Sequence, residues 1–264
     1  MKKFTKAIAL IAAITLILTV VAGCGTNEQK NDASSEATQT VKFGTNAEFA
    51  PFEFVADEGK GIIEKFDGID INIAKLIGDD NGFKPEIVNI EFDSLLIAIQ
   101  NGQIDAIIAA MTVTDERKEV VDFSEPYYTA TQVMIVKESS DITKATDMAD
   151  KKIAVIQGYT GETCVDEMGY KYESFKKGSD AVEELKNDKA DVVVIDKATA
   201  DSYIKQNTGL KIVEDSSAFE SEQYAIAVKK GNTELLNKIN ASIKKMLADG
   251  TINDLAAKYT NAIE

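Results

Sequence analysis

Two segments of the sequence, "LLIAIQNGQIDAIIAA" (95–110) and "AVEELKNDKADVVVID" (181–196), follow the same pattern. Each begins with an amphipathic helical stretch, passes through a polar turn to an aspartate (Asp105 or Asp191) and ends in an apolar run. Because one helix–turn–strand unit occurs twice, the chain is predicted to contain two similar α/β lobes.

Further apolar runs predict the strands of these lobes. They are short, bounded by turn residues and apolar at successive positions, which is typical of strands covered on both faces. The runs are "VKFGT" (41–45), "IDAIIAAM" (104–111), "KIAVIQG" (152–158) and "ADVVVID" (190–196). Helical spacing of apolar residues predicts helices at 68–78, 93–101, 179–187 and 232–248.

The ends of these strands predict where a ligand binds. Open α/β sheets bind ligands beyond the carboxyl ends of their strands. When the two segments are aligned, Ala110 and Asp196 occupy equivalent strand ends, and residues 45–46 and 157–160 end the neighbouring strands. We expect these four places to line one cleft between the lobes.

Arg117 follows the first of these strand ends and is the only arginine among 29 basic residues. A guanidinium presents a planar fork that binds both oxygens of a carboxylate, a geometry that an ammonium group cannot reproduce. The alternative is a surface ion pair with Asp115, Glu116 or Asp122, worth about 0 to 1 kcal/mol. The position beyond a strand end favours the ligand role.

Asp196 ends the second strand, where a carboxylate is unfavourable unless it meets a cation or a donor. Its position also suits the N-cap of the helix that "KATADSYIKQN" (197–207) predicts. Together, Arg117 and Asp196 complement the carboxylate and the ammonium of a free α-amino acid. Phe49 and Phe92 lie at the mouths of the same loops and are candidates to flank a ligand side chain, although most single phenylalanines belong to a core.

The first 40 residues predict export and anchoring. Three lysines precede an apolar run at 7–22 that is short for a membrane span, so residues 1–23 are predicted to be a signal peptide. The "VAGC" (21–24) resembles a bacterial lipobox, in which Cys24 becomes the first residue and carries lipid such as palmitate; the alternative is an uncleaved anchor. Residues 25–40 are polar and predict a flexible tether, which places the folded part outside the cytoplasm at the cell membrane.

Composition excludes several classes of function. The chain has no histidine, which rules out Ser-His-Asp and Cys-His catalysis and His-ligated zinc, and it has no motif for a cofactor or a metal. A net charge of −15 opposes binding to nucleic acid. With Cys24 lipidated, Cys164 has no partner for an intramolecular disulfide.

Several stretches together resemble the family 3 solute-binding proteins of bacterial ABC importers, which include glutamine-, histidine- and lysine/arginine/ornithine-binding proteins. They are "GTNAEFAPFEF" (44–54), "FDGIDINIAKLI" (66–77), "FDSLLIAIQNGQIDAIIAAMTVTDERKEVVDFSEPYY" (92–128), "KKIAVIQGYTGE" (151–162), "ADVVVID" (190–196) and "LADGTINDLAAKY" (247–259). The resemblance implies an α/β, two-lobed periplasmic-binding-protein fold of type II, in which two mixed sheets flanked by helices are joined by two hinge strands. The implied lobes are 41–126 plus 225–264, and 132–219, with crossings near 127–131 and 220–224.

The resemblance also implies roles for single residues. Arg117 and Thr112, with the backbone at Ala110 and the hydroxyl and amide of Thr160, hold the ligand carboxylate, while Asp196 takes the ammonium. The aromatic pair flanks the ligand side chain, and two polar residues point towards its tip. The candidate ligand-binding residues are Asn46, Glu48, Phe49, Phe92, Ala110, Met111, Thr112, Arg117, Gln157, Thr160 and Asp196.

Two departures from the family pattern leave the ligand side chain open. Binders of basic amino acids often carry aspartate at the position of Asn46, although Glu48 nearby can restore the charge. The second-lobe "GTT" of the family is Gly158-Tyr159-Thr160 here, so Tyr159 either narrows the pocket or faces outward.

We therefore expect a monomeric protein, without cofactor or metal, that captures a polar L-amino acid, with basic ones among the candidates, by hinge closure. It delivers the ligand to the transmembrane subunits of an ABC permease. The alternative is an enzyme on the same scaffold, resembling cyclohexadienyl or arogenate dehydratases, in which Glu48 donates a proton. A third hypothesis is the extracellular sensor of a signalling system.

Overall fold

The structure, a computed structural model, describes residues 38–261. The predicted signal peptide, Cys24 and most of the predicted tether lie outside the described residues. Within the described range, none of the helices has both the length and the apolar character needed to span a membrane.

The strands and helices follow in a mixed order along the chain. The strands are β1 (Thr40–Thr45), β2 (Glu48–Phe49), β3 (Glu53–Val55), β4 (Phe66–Asp67), β5 (Lys84–Asn89), β6 (Ala106–Ile107), β7 (Val121–Phe123), β8 (Tyr128–Lys137), β9 (Ile153–Ile156), β10 (Tyr172–Phe175), β11 (Val192–Asp196), β12 (Leu210–Val213), β13 (Ser221–Tyr224) and β14 (Ala227–Lys229). The helices are α1 (Ile69–Asn81), α2 (Leu95–Gln100), α3 (Asp115–Val120), α4 (Thr160–Glu167), α5 (Gly178–Lys186), α6 (Lys197–Gln206), α7 (Thr233–Ala248) and α8 (Thr251–Asn261).

Two mixed sheets form the two lobes, as predicted. The first sheet has the order β5-β1-β6-β14-β7, with β1 parallel to β5 and β6, and β14 antiparallel to β6 and β7. The second has the order β10-β9-β11-β8-β12, with β9 parallel to β10 and β11, and β8 antiparallel to β11 and β12. We call residues 38–126 plus 225–261 lobe 1 and residues 132–219 lobe 2. Lobe 1 also holds a small sheet, β2-β3-β4, that the sequence patterns did not predict.

The chain passes between the two sheets twice, and the passing segments pair with each other. The start of β8 lies antiparallel to β13, with Thr131 opposite Ser221 and Tyr128 opposite Tyr224. We call residues 127–131 and 220–224 the crossing segments. Because two strands side by side connect the lobes, bending of these segments changes the angle between the lobes.

The two repeated segments have the same structure in both lobes. Asp105 precedes β6 and accepts the N–H of Lys42 through Oδ2 at 2.8 Å, and Asp191 precedes β11 and accepts the N–H of Lys152 in the same way at 2.8 Å. In each lobe the aspartate fixes the register of the strand against its neighbour. The strands β9 and β11 are buried along their whole length, as the unbroken apolar runs predict.

Three of the predicted elements differ clearly from the structure. The predicted strand 104–111 is shorter, because Ala110 takes a positive φ of 45° and its N–H donates to the carboxylate of Asp70 at 2.7 Å. The predicted helix 93–101 is divided into a 3-10 turn, Phe92–Ser94, and α2. The predicted helix 68–78 corresponds to α1, which continues to Gly82, where a left-handed φ of 71° ends it.

Candidate functional site

Arg117 lies between the lobes. Thr114 caps α3 by accepting the N–H of Arg117 at 3.2 Å, which places the arginine in the first turn of a helix that begins just after β6. Its side chain is only 8% exposed. Nη1 donates to the carbonyl of Thr112 in lobe 1 at 2.7 Å, and Nη2 donates to the carbonyl of Gly158 in lobe 2 at 2.9 Å. The guanidinium therefore links the two lobes.

The surface ion pairs considered for Arg117 do not form among the described residues. Asp115 pairs with Lys118, and Asp122 pairs with Lys230. Burial lowers the pKa of Arg117 from its ordinary value, an effect that nearby carboxylates oppose. Two of the five N–H groups of the guanidinium donate to carbonyls, which leaves three for a carboxylate.

Two threonine hydroxyls from opposite lobes meet beside Arg117. Thr112 follows β6, and Thr160 begins α4. Both hydroxyls donate to the same oxygen, Oε2 of Glu222 in the second crossing segment, at 2.6 and 2.7 Å. Gln132 donates to the hydroxyl of Thr160 at 3.1 Å and fixes its position. The site thus already contains an arrangement of two hydroxyls on one carboxylate oxygen.

Three aromatic rings form the inner part of the cleft. Phe49 and Phe92 are both buried in lobe 1, and the ring of Tyr159 from lobe 2 lies against both. The centroid of Tyr159 is 4.1 Å from that of Phe92, with the planes 24° apart, and 5.1 Å from that of Phe49. The hydroxyl of Tyr159 donates to Oδ1 of Asn46 at 3.2 Å. Of the two orientations considered from the sequence, Tyr159 faces inward.

Asp196 ends β11 and is buried. It holds the N-cap position of α6, as predicted, but its side chain makes no capping hydrogen bond. Instead Oδ1 accepts the hydroxyl of Tyr224. Burial and the negative charge of Glu222 raise the pKa of Asp196 to about 7. The carboxylate is therefore buried in the cleft and makes its hydrogen bond with a crossing segment and not with the helix that it precedes.

The other predicted ligand-binding residues differ in exposure and in their hydrogen-bond partners. The N–H of Ala110 donates to Asp70, so this backbone offers a carbonyl acceptor and not the donor that a ligand carboxylate needs. Met111 is buried at the cleft, while the side chain of Gln157 is exposed. Glu48 forms an ion pair with Lys177 of lobe 2 at 2.9 Å.

Comparison with known sequences identifies the family. The bacterial extracellular solute-binding proteins, family 3, match residues 41–262. The chain belongs to this family. It is 34% identical over 98% of both chains to the arginine-binding extracellular protein ArtP of Bacillus subtilis. It is 32% identical to a probable histidine-binding protein of Neisseria gonorrhoeae, over 98% of this chain and 96% of that protein.

Solved structures of similar proteins have the same fold. The arginine-, lysine-, histidine-binding protein ArtJ of Geobacillus stearothermophilus superposes with a TM-score of 0.77 at 34% identity, over 84% of this chain and 95% of that one. An ancestral arginine-binding protein bound to arginine gives a TM-score of 0.76 at 42% identity, over 83% of this chain and 97% of that one. The predicted two-lobed fold is confirmed, and this solute-binding protein is not an enzyme.

The cleft of this solute-binding protein opens beside Arg117. A cavity of about 580 Å³ is lined from lobe 1 by Phe92, Met111 and Glu116, and from lobe 2 by Thr160 and Glu162. Among residues 38–261, no three metal-ligating side chains cluster.

Sequence patterns missed two residues of the cleft. Glu222 lies in a predicted crossing segment, and nothing in its local sequence distinguishes it from the exposed Glu220 nearby. Tyr224 was not singled out either, because its bond to Asp196 joins residues that are far apart in the chain. A signal was available only for Tyr159, which departs from the family motif.

Proposed function

We propose that this family 3 solute-binding protein captures a free L-amino acid between its lobes and delivers it to the permease subunits of an ABC importer. The observation that carries the proposal is the buried guanidinium of Arg117. It has three unused donors, adjoins two hydroxyls from opposite lobes and shares the cleft with the buried carboxylate of Asp196.

The ligand carboxylate binds at the Arg117 side of the cleft. Thr112 and Thr160 supply hydroxyl donors there, and the N-terminus of α4 begins at Thr160, where the helix dipole favours a negative charge. Hydrogen bonds to charged groups contribute about 1.5 to 3 kcal/mol each. The ligand ammonium binds Asp196 and the carbonyl of Ala110, whose amide is held away by Asp70.

Binding closes the hinge. Arg117 and Thr112 belong to lobe 1, whereas Thr160 and Asp196 belong to lobe 2. A ligand that contacts all four is held fully only when the lobes meet, so its differential affinity shifts the population towards the closed form.

The ligand side chain is polar, and the charges favour a cationic one. Three glutamates line the cavity beside Arg117, namely Glu116, Glu162 and Glu167, and an excess of one sign of charge attracts the opposite sign. Asp93 also lines the cavity but pairs with Lys176. Glu48 and Asn46 are the residues that we propose to meet the tip of the side chain, once the ligand replaces their partners Lys177 and Tyr159. Relatives named as arginine- or histidine-binding support the same class.

A thermal-shift panel tests this function. The twenty amino acids, with ornithine, citrulline and cystine, are added at 1 mM, and a tight ligand at 100 times its dissociation constant adds about 2.7 kcal/mol of stability. We expect basic amino acids to give the largest shifts. No shift with any of them contradicts the proposal.

Calorimetry with a matched pair of variants then tests the site. Arg117→Ala should weaken binding of the best ligand by at least about 100-fold, because several charge-assisted bonds are lost. Lys118→Ala, an adjacent and exposed cation of the same helix, should change the affinity less than about twofold. Equal effects of the two variants exclude a specific role for Arg117.

We propose further that the mature chain is a monomer tethered outside the cell membrane through lipid on Cys24. The lipobox at 21–24 supports the anchor, and the extracellular family supports the location. Labelling cells with an alkyne analogue of palmitate should mark the wild type and not Cys24→Ser, and the variant should appear in the medium. Equal labelling of both contradicts the anchor.

A further inference from the structure

The residues that the proposed function assigns to ligand binding already contact other side chains of the protein. A carboxylate, that of Glu222, accepts from both threonine hydroxyls. An aromatic ring, that of Tyr159, fills the space between Phe49 and Phe92. A carboxylate and a ring of the protein therefore lie where the carboxylate and the side chain of an amino acid would bind.

The Glu222 contact spans the interface between the lobes. Oε2 receives one bond from Thr112 of lobe 1 and one from Thr160 of lobe 2. Glu222 itself lies on β13, which is held against lobe 1 by the bond from the N–H of Val113 to the carbonyl of Gln223 at 2.8 Å. The contact thus holds lobe 2 against lobe 1 through a crossing segment. We call the two hydrogen bonds from Thr112 and Thr160 to Glu222 the clasp.

Tyr159 makes a second link of the same kind. It belongs to the loop that leads into α4 of lobe 2, yet its ring and hydroxyl contact only lobe 1 groups among the partners described above. The φ of 80° at Gly158, which favours glycine, turns the chain so that this side chain points across the cleft.

A ligand carboxylate and Glu222 exclude each other. Both carry a negative charge, both need the same two hydroxyls, and like charges in a buried site repel strongly. After burial, the negative charge of Glu222 is the next largest cause that raises the pKa of Asp196, and it also acts on the pKa of Arg117.

We propose that Glu222 and Tyr159 form an internal stand-in for the ligand, which holds the lobes closed and competes with the amino acid. This inference rests on the proposed function. A ligand binds only to molecules in which the stand-in has withdrawn, so its apparent affinity is reduced by the fraction of such molecules. Glu222 therefore sets affinity, and Tyr159 sets the size of side chain that the cleft accepts.

Two variants of the full mature chain test the clasp. Glu222→Ala removes it, and Glu220→Ala removes an exposed glutamate from the same crossing segment. In small-angle X-ray scattering without added amino acid, Glu222→Ala should have a larger radius of gyration than the wild type, while Glu220→Ala should not. This measurement does not depend on any ligand, so it separates failure of the clasp from failure of the proposed function.

Calorimetry with the best amino acid of the panel completes the test. Glu222→Ala should bind it about tenfold more tightly than the wild type, as a larger competent fraction predicts. Tyr159→Ala should accept bulkier side chains, while Tyr159→Phe should keep the wild-type order of preference. Unchanged scattering, or weaker binding by Glu222→Ala, overturns the inference, because weaker binding makes Glu222 a ligand contact and not a competitor.

Discussion

Asp70 in lobe 1 and Asp196 in lobe 2 are both buried carboxylates that accept a hydrogen bond from a tyrosine of a crossing segment. Tyr127 donates to Asp70 at 2.8 Å, and Tyr224 donates to Asp196. Burial is the largest cause that raises the pKa of each aspartate to about 7. Each lobe thus contains a buried aspartate that is hydrogen-bonded to a tyrosine where the chain crosses between the sheets.

Their neighbours make the two pairs different. Asp70 also accepts the N–H of Ala110, and the carboxyl of Glu53 lies beside it inside lobe 1. Asp196 instead lies in the cleft with Glu222 and Arg117 as its charged neighbours. Asp70 thus supports the backbone of lobe 1 at Ala110, whereas Asp196 lies where we propose that a ligand ammonium binds.

The largest effect is expected when the tyrosine–aspartate pair of lobe 1 is broken. Asp70→Ala leaves the N–H of Ala110 and the hydroxyl of Tyr127 buried without an acceptor, which should lower the free energy of unfolding by about 2 to 5 kcal/mol. Urea denaturation measures the change. Asp79→Ala, on the exposed face of the same helix, should cost less than about 1 kcal/mol. A similar small cost for both variants contradicts the structural role of Asp70.

Stability should fall as the pH rises. The folded protein binds a proton at Asp70 up to about pH 7, whereas an unfolded aspartate releases it near pH 4, so the unfolded state binds fewer protons in this range. Asp196 has the same raised pKa and acts in the same direction. The free energy of unfolding should therefore decrease by about 4 to 6 kcal/mol between pH 5 and pH 8. Denaturation across this range measures the slope, and a rise in stability contradicts it.

The lobe 2 pair should affect binding. Asp196→Asn removes the charge that meets the ligand ammonium, so affinity at pH 8 should fall about 10- to 100-fold. Because burial raises the pKa of Asp196 to about 7, the neutral amide should not lower the free energy of unfolding at pH 8. Wild-type affinity should also weaken below pH 7 as Asp196 becomes protonated, and the variant should lose this dependence. Asp201→Asn, in the same helix, is the calorimetric control. Equal losses for both variants refute the assignment.

The smallest effect concerns the proton between Glu53 and Asp70. Neither oxygen of Glu53, nor Oδ1 of Asp70, has a donor among the described residues, and burial together with the charge of Asp70 raises the pKa of Glu53 well above its ordinary value. A proton on one oxygen of Glu53 can be donated to Asp70, which supplies the missing donor for that carboxylate. Glu53→Gln keeps that donor and should change stability by less than about 1 kcal/mol. If urea denaturation shows that Glu53→Gln loses more than about 3 kcal/mol of stability, Glu53 does not carry the proton.

The sequence predicts the parts of this account that depend on local pattern. The repeated aspartates, Asp105 and Asp191, mark equivalent strands, and the lone Arg117 after a strand end falls in the cleft. What the pattern could not give are contacts between distant residues. The bond of Asp70 to Ala110, which shortens β6, depends on how α1 packs under the strand. The position of Glu222 depends on strand pairing between the crossing segments.

The inward orientation of Tyr159 is a similar case. A residue before a helix can face either side, and here the space between two phenylalanine rings decides. Sequence alone left both orientations open, because the two rings come from lobe 1 and the tyrosine comes from lobe 2.

We propose above all that Arg117 binds the carboxylate of a free amino acid. The most direct measurement is calorimetric titration of the wild type and Arg117→Ala with the best amino acid and with its carboxamide, which lacks the negative charge. We expect the wild type to prefer the acid by at least about 100-fold, and Arg117→Ala to distinguish the two by less than about threefold. A variant that retains the full preference for the acid contradicts the claim.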